Sequence, residues 1–308
     1  MQQLQEEKRD VLILLNEDTR EMVLKNQYNL PFIKLLASEG AKQSPLELHP
    51  AERKYSVSHH GLRYKIFYVD DMLVDRNIQS NAITEHAILK QAALHQLPYL
   101  AHLQGVYIGV THIAFELKEY EMDFRQYLEE HRDPKHLPRL LEQVIDGVES
   151  LHQLGYVHRD LKPDNIMINL RPLTVNLIDF DISQLRTSTT SGSTKGTPGY
   201  HPVRPTMKDG STLWDIWALA ATILEADMLP GEYYGVSTER GAQQKADEHC
   251  KEKETSPALR VLLSHTIQRT EVSTMEGLFF IRKQLQNIQF RKYPNFRGNK
   301  EIDDVHKA

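Results

Sequence analysis

The chain has 308 residues, 40% hydrophobic and 26% charged; Lys plus Arg is 37, Asp plus Glu is 42, and the formal net charge is −5. That length suits two modest lobes or one large domain, and the acidic balance argues against a general nucleic-acid binder. The single cysteine, Cys250, excludes an internal disulfide, so stability rests on the core, as suits a reducing compartment.

Residues 1–10 are polar and lack the apolar stretch of a secretory signal, and the apolar run 11–15 is far too short to span a bilayer. The expectation is a soluble cytoplasmic protein with no membrane partner; export without a cleaved signal would leave the same features. Residues 11–15 suit a buried strand. Residues 30–37 (LPFIKLLA) read as a helix ending at Ser38-Glu39-Gly40. Residues 54–58 and 62–69 are rich in aromatic and β-branched residues, with His59-His60-Gly61 as the hairpin turn between them. Residues 81–97 read as a helix with Ile83, Ala87, Ile88 and Leu94 on or near one face. Residues 105–117 are strand-like again.

After Glu119 the pattern turns helical. Residues 124–131 suggest a short helix stopping before Pro134. In 137–154, Leu140, Leu141, Val144, Ile145, Val148 and Leu151 give the i, i+3, i+4 spacing of an amphipathic helix, and Gly155 ends it. Short apolar pieces follow at 156–157, 166–168 and 175–178. Residues 214–226 form a largely apolar helix of the kind that sits inside a lobe. The remainder is mixed helical sequence, and 287–308 is a polar tail whose Arg291, Lys292, Arg297 and Lys300 read as a solvated end. Fifteen histidines include no HExxH pair and none sits with a cysteine, so no structural zinc site follows.

The chemistry concentrates in His158-Arg159-Asp160-Leu161-Lys162-Pro163-Asp164-Asn165. This segment resembles the catalytic loop of eukaryotic-type protein kinases. Phosphoryl transfer needs an in-line hydroxyl and cations that spread negative charge. The resemblance implies that Asp160 orients the hydroxyl proton, Lys162 neutralises charge on the moving phosphate, and Asn165 offers an amide oxygen to magnesium. Fourteen residues after Asn165, Asp179 in Leu177-Ile178-Asp179-Phe180-Asp181 resembles the magnesium-binding aspartate of the family's Asp-Phe-Gly. Asp181 stands where the family has glycine. Gly196-Thr197-Pro198-Gly199-Tyr200 resembles the substrate loop, and pairing of Lys162 with Thr197 implies serine or threonine acceptors. Pro202-Val203-Arg204 replaces the family's Ala-Pro-Glu; with Glu271 it suggests a reversed ion pair. Trp214-Asp215-Ile216-Trp217 resembles the start of the family's buried helix, whose aspartate caps the catalytic loop.

The first half matches less closely. Lys65 and Glu85 lie twenty residues apart, near the family's spacing for the lysine that holds the α and β phosphates and the glutamate that holds it; Lys54 is the alternative lysine. Residues 46–53 contain no glycine where the family carries a glycine-rich phosphate loop. The adenine-facing hinge is expected at Glu119-Tyr120-Glu121, with Lys118 gating the back pocket. The hydroxyl-rich stretch 187–195 is where kinases are phosphorylated, and Arg159 is the residue that usually grips such a phosphate.

The resemblance therefore implies an α+β, two-lobed protein kinase fold: a small mainly β N-lobe with one helix (46–118), a larger mainly α C-lobe (122–286), and ATP with Mg2+ between them. Residues 1–45 form an extension able to bind a partner, brace the small lobe or cover the cleft. The implied substrate is a protein hydroxyl. Two alternatives stay open: a pseudokinase, favoured by the missing glycines, Asp181 and Arg204, and a small-molecule phosphotransferase, favoured by Asp179-Phe180-Asp181.

Overall fold

A computed structural model describes residues 30–46, 48, 53–109, 111–191, 195–202, 207–268 and 277–293. The expected strand at 11–15, Arg204 and Glu271, and most of the glycine-free segment (Glu47 and residues 49–52) lie outside the described residues, as do Arg297 and Lys300. The chain divides into two compact units, 1–96 with 101–119 and 97–100 with 120–308.

The smaller unit is built on a five-stranded sheet in the order β1-β4-β5-β3-β2, from β1 (Lys42–Gln43), β2 (Ser56–His59), β3 (Leu62–Tyr68), β4 (Gly105–Ile108) and β5 (His112–Lys118). All pairs are antiparallel except β1 with β4. The β2–β3 turn has the two-residue left-handed form that matches strand twist, with His60 at φ 51° and Gly61 at φ 74°. Strand alternation sorts the side chains. Tyr64, Ile66, Tyr68 and Ala114 form a core on one face with Leu46, Leu48, Val57, Leu62 and Tyr107. The register Lys65↔Phe115 puts Lys65, Phe67 and Phe115 on the other face, towards α3 (Arg76–Leu94). Phe115 lies 5.3 Å from the Phe67 ring and 5.6 Å from that of His86 on α3.

Helix α3 starts five residues earlier than the apolar pattern predicts. Asp75 caps it by accepting from the Asn77 N–H at 2.8 Å, after the short α2 (Val69–Val74). Its buried face also differs from expectation: Ala82, Glu85, His86, Ile88, Leu89 and Ala92 are buried, while Ile83 is 41% and Leu94 68% exposed. Two ionisable side chains on the inner face hide it from apolar periodicity. Helix α1 (Leu30–Ser38) buries Phe32, Ile33 and Leu36. The Phe32 ring meets His86 edge-on at 6.0 Å, and Glu39, just past the helix, takes Lys90 at 2.6 Å and His86 at 3.3 Å. Residues 30–43 thus brace the sheet edge and α3.

The larger unit is mainly helical. Helix α4 (Phe124–Glu130) is capped by Asp123, and α5 (Leu137–Gln153) fully buries all six residues of its apolar stripe. Each buried aliphatic side chain contributes roughly 1.5–3 kcal/mol relative to exposure. Two small antiparallel sheets accompany α5: β7 (Tyr156–Val157) pairs with β10 (Gln184–Leu185), and β8 (Ile166–Leu170) pairs with both β9 (Leu173–Leu177) and β6 (Met122–Asp123). Helix α6 (Leu213–Asp227) is buried from Trp214 to Asp227. The mixed C-terminal sequence forms α7 (Glu239–Lys251), α8 (Pro257–Ser264) and α9 (Leu278–Leu285).

The polar tail begins as part of this unit, with Ile288 and Phe290 buried. Arg291, expected in a solvated basic cluster, instead donates its N–H to the buried Asp227 at 2.8 Å and places Nε 3.3 Å from that carboxylate. Among the described residues no helix is long and apolar enough to cross a membrane.

Candidate active site

In the larger unit the segment 158–165 leaves β7 and enters β8 through a 3-10 turn at Pro163–Asn165. A loop this polar keeps one shape only if its backbone groups find fixed partners. Asp215, in the first turn of α6 and fully buried, supplies them. One carboxylate oxygen accepts from the His158 N–H at 2.9 Å and from His152 Nε2 at 2.8 Å; the other accepts from the Arg159 N–H at 2.9 Å. Burial alone would push the Asp215 carboxyl up, but the His152 hydrogen bond, nearby histidines and the Arg159 N–H hold it below the ordinary range.

His158 completes the clamp. Its Nδ1 accepts from the Asp160 N–H at 3.3 Å, which leaves Nε2–H to donate to the Ile178 carbonyl at 3.0 Å. Its ring lies 5.3 Å from that of the fully buried Phe180. Arg159 and Asp179 both take left-handed backbone, φ 72° and 66°, a strained conformation for non-glycine residues that this network must hold.

The clamp presents Asp160. Its Oδ1 accepts from the Thr197 N–H at 2.8 Å and hydroxyl at 2.6 Å; Oδ2 takes Lys162 Nζ at 2.9 Å and Asn165 Nδ2 at 3.0 Å. Lys162 Nζ also reaches the Thr197 hydroxyl at 2.5 Å. So residues 160, 162, 165 and 197 converge on one carboxylate, across thirty-seven residues of chain for Thr197. Gly196 makes the approach possible: at φ 119°, a Cβ there would lie 2.9 Å from the Arg159 carbonyl.

The Ile178 N–H donates to the Asn165 carbonyl at 3.1 Å, which ties the residue before Asp179 to Asn165. Asn165 spends its amide nitrogen on the Asp160 carbonyl and carboxylate, at 2.8 and 3.0 Å, which orients its side-chain oxygen away from those bonds. The amide oxygen of Asn165 and the carboxylate of Asp179 are hard donors of the type that fits a partial ligand set for magnesium, whose remaining ligands are ordinarily phosphate and water. Among the described residues no group of three or more His, Cys, Asp or Glu gathers to hold a metal unaided.

In the smaller unit, Lys65 Nζ lies 3.2 Å from Glu85 Oε2, with Glu85 fully buried. Lys54, the alternative lysine, precedes β2, and its backbone bonds to the Tyr68 hydroxyl. Lys118 does not gate the face that carries Lys65. Strand alternation from Phe115 puts Leu117 there, buried, while Lys118 is exposed at the strand end. Of the expected hinge residues, Glu119 ends the smaller unit; Glu121 lies in the larger one, where its carboxylate accepts from the Leu170 N–H at 3.0 Å.

Spacing gave no sign of a second polar group beside the segment 158–165. Arg125 on α4 donates to Asp164 at 2.7 and 3.0 Å, to Glu225 on α6 at 2.5 Å and to the Tyr200 hydroxyl at 3.2 Å. Tyr200 in turn donates to Glu225. Burial pushes the Glu225 carboxyl up to about 7 despite the opposing charge of Arg125 and the Tyr200 bond. These contacts tie the loop after Lys162 to the segment after Thr197.

Known proteins resemble parts of this chain. The chain is 29% identical over 142 residues to the serine/threonine-protein kinase nekl-2 of Caenorhabditis elegans, covering 43% of this chain and 40% of that protein. It is 32% identical over 133 residues to calcium/calmodulin-dependent protein kinase type 1B of Rattus norvegicus, covering 40% and 37%. Cytokinesis protein sepH of Aspergillus niger is 35% identical over 109 residues, 34% of this chain and 8% of that protein. The matched stretches thus span less than half the length of these curated relatives. A family model, the protein kinase domain, matches residues 62–287, well over half of the chain, and the chain belongs to that family.

Proposed function

We propose that this chain is an ATP- and magnesium-dependent kinase that phosphorylates serine or threonine hydroxyls of proteins. The observation that carries the reading is the convergence of Lys162, Asn165 and Thr197 on the Asp160 carboxylate. In this reading Asp160 orients an acceptor hydroxyl and takes its proton, worth roughly 10²- to 10⁴-fold in rate for a positioned base. Lys162 stands beside it as the cation that steadies charge on the group in transit. Thr197, bonded to both, shapes the loop that receives the acceptor. Asn165 and Asp179 would hold magnesium, and Lys65, kept in place by Glu85, would hold the α and β phosphates. When bound, the magnesium nucleotide supplies the phosphoryl group and most of the charge neutralisation. The serine/threonine preference draws further support from the Lys162–Thr197 contact and from relatives named as serine/threonine kinases.

The test is phosphate incorporation by intact mass after incubation with magnesium and ATP, beside Asp160→Asn. Added mass in the wild type alone supports the reading. If a peptide mixture gains no phosphate while small alcohols do, the acceptor class is wrong. Nucleotide binding without any transfer would favour a pseudokinase.

A further inference from the structure

Arg159 and the hydroxyl-rich segment meet at Asp209, a residue that no motif singles out. The Arg159 side chain is only 1% exposed, and a guanidinium keeps its charge when buried, so it needs an anion close by. Two carboxylates oppose the effect of that burial, Asp209 first and then Asp215. Asp215 already serves His152 and two backbone N–H groups. Asp209 Oδ1 lies 3.6 Å from Arg159 Nη2. The guanidinium lies over the Trp214 ring, 5.1 Å from its centroid, and that ring's Nε1–H donates to the carbonyl of Lys208, the neighbour of Asp209, at 3.0 Å.

The other side of Asp209 faces the hydroxyl-rich stretch. Its Oδ2 accepts from the Thr190 hydroxyl at 2.7 Å, its N–H donates to the Thr190 carbonyl at 2.8 Å, and Ser191 forms a β-bridge with Lys208. One carboxylate therefore joins the residue next to Asp160 to the segment that runs on towards Thr197.

We propose that Asp209 is the resident counter-anion of Arg159, a positioning residue that fixes the catalytic loop against residues 188–191 so that phosphoryl transfer needs no phosphate on that segment. The inference rests on the kinase reading above. It also assigns a direction to modification at Thr190. A phosphoryl group there removes the proton that Asp209 accepts and sets like charge against the carboxylate. The competing arrangement is equally specific. Arg159 Nε and Nη2 have no hydrogen-bond partner among the described residues, so a phosphate could occupy them and displace Asp209.

The experiment uses the full chain, phosphatase-treated and checked by intact mass, with Asp209→Asn and Asp209→Glu. Steady-state kinetics and amide hydrogen exchange at residues 186–191 and 207–211 are read together. Dephosphorylated wild type is expected to keep its kcat. Asp209→Asn should lose about tenfold in kcat with KM for ATP little changed, as for loss of one charge-assisted contact, and exchange faster at 188–191. Asp209→Glu should recover most of both. The proposal is overturned if dephosphorylation abolishes transfer and rephosphorylation restores it, or if Asp209→Asn matches wild type in exchange. Exchange needs no turnover. A preparation that transfers no phosphate at all would sink the kinase reading while exchange still decides the part played by Asp209.

Discussion

The two units hold their polar groups in different ways. In the larger one, Asp160 and Asp215 each accept several hydrogen bonds: Asp160 from Lys162 and Asn165 nearby and from the distant Thr197, and Asp215, on a deeply buried helix, from His152, His158 and Arg159. In the smaller one, Lys65 and Glu85 face each other across a strand and a helix at 3.2 Å, and the helix that carries Glu85 is itself steadied by α1 and Glu39. A network with several donors per carboxylate tolerates little change, whereas an ion pair between a strand and a helix depends on how firmly those elements are braced. The difference predicts that substitutions in the larger unit act through chemistry and loop shape, and those in the smaller unit through affinity and local stability.

The largest effect should come from Asp160→Asn. Phosphate incorporation is expected to fall about 10²- to 10⁴-fold with the overall fold retained, as circular dichroism would report. If activity survives, the network around Asp160 is structural and the comparison collapses. Next comes Asp215→Ala, which leaves buried donors from His158, Arg159 and His152 unmet; a loss of about 3–5 kcal/mol in denaturant unfolding is expected. A small loss would mean that the loop holds its shape without this clamp.

Lys65→Met should cost less stability than Asp215→Ala and raise KM for ATP by roughly tenfold or more, as for one charge-assisted contact. Glu85→Gln should do the same more mildly by leaving Lys65 less well held. Unchanged KM in both would remove the nucleotide role from the smaller unit. The mildest effect concerns pH. Burial pushes His112, whose Nε2 is 2.9 Å from the Ser44 hydroxyl, down to about 4, and lowers His86 in the same direction. A histidine kept neutral in the fold gives stability that is full above its unfolded value of 6.5 and lost as pH falls from 6.5 towards 4. The smaller unit should therefore loosen first on mild acidification. Wild type minus His112→Asn, compared by hydrogen exchange at pH 7 and pH 5, should shrink towards the lower pH; a constant difference would argue against it.

The sequence by itself determined the elements whose pattern is local. The stripe of α5 is legible because 3.6-residue periodicity puts Leu140, Val144 and Leu151 on one face whatever surrounds them. The residues 158–165 and Asp179 are legible because their order along a short stretch carries the resemblance to the protein kinase family. The inner face of α3 was not, since burial of Glu85 and His86 depends on Lys65, Glu39 and Phe115 arriving from elsewhere. Nor could spacing place Leu117 rather than Lys118 beside Lys65, because that follows from the register of β3 on β5. Arg291 reads as a solvated charge until Asp227 is seen buried opposite it. Arg125 and Asp209 belong to the same class. Their partners lie from nineteen to a hundred residues away, and a side chain's charge becomes informative only when folding decides which opposite charge is desolvated beside it.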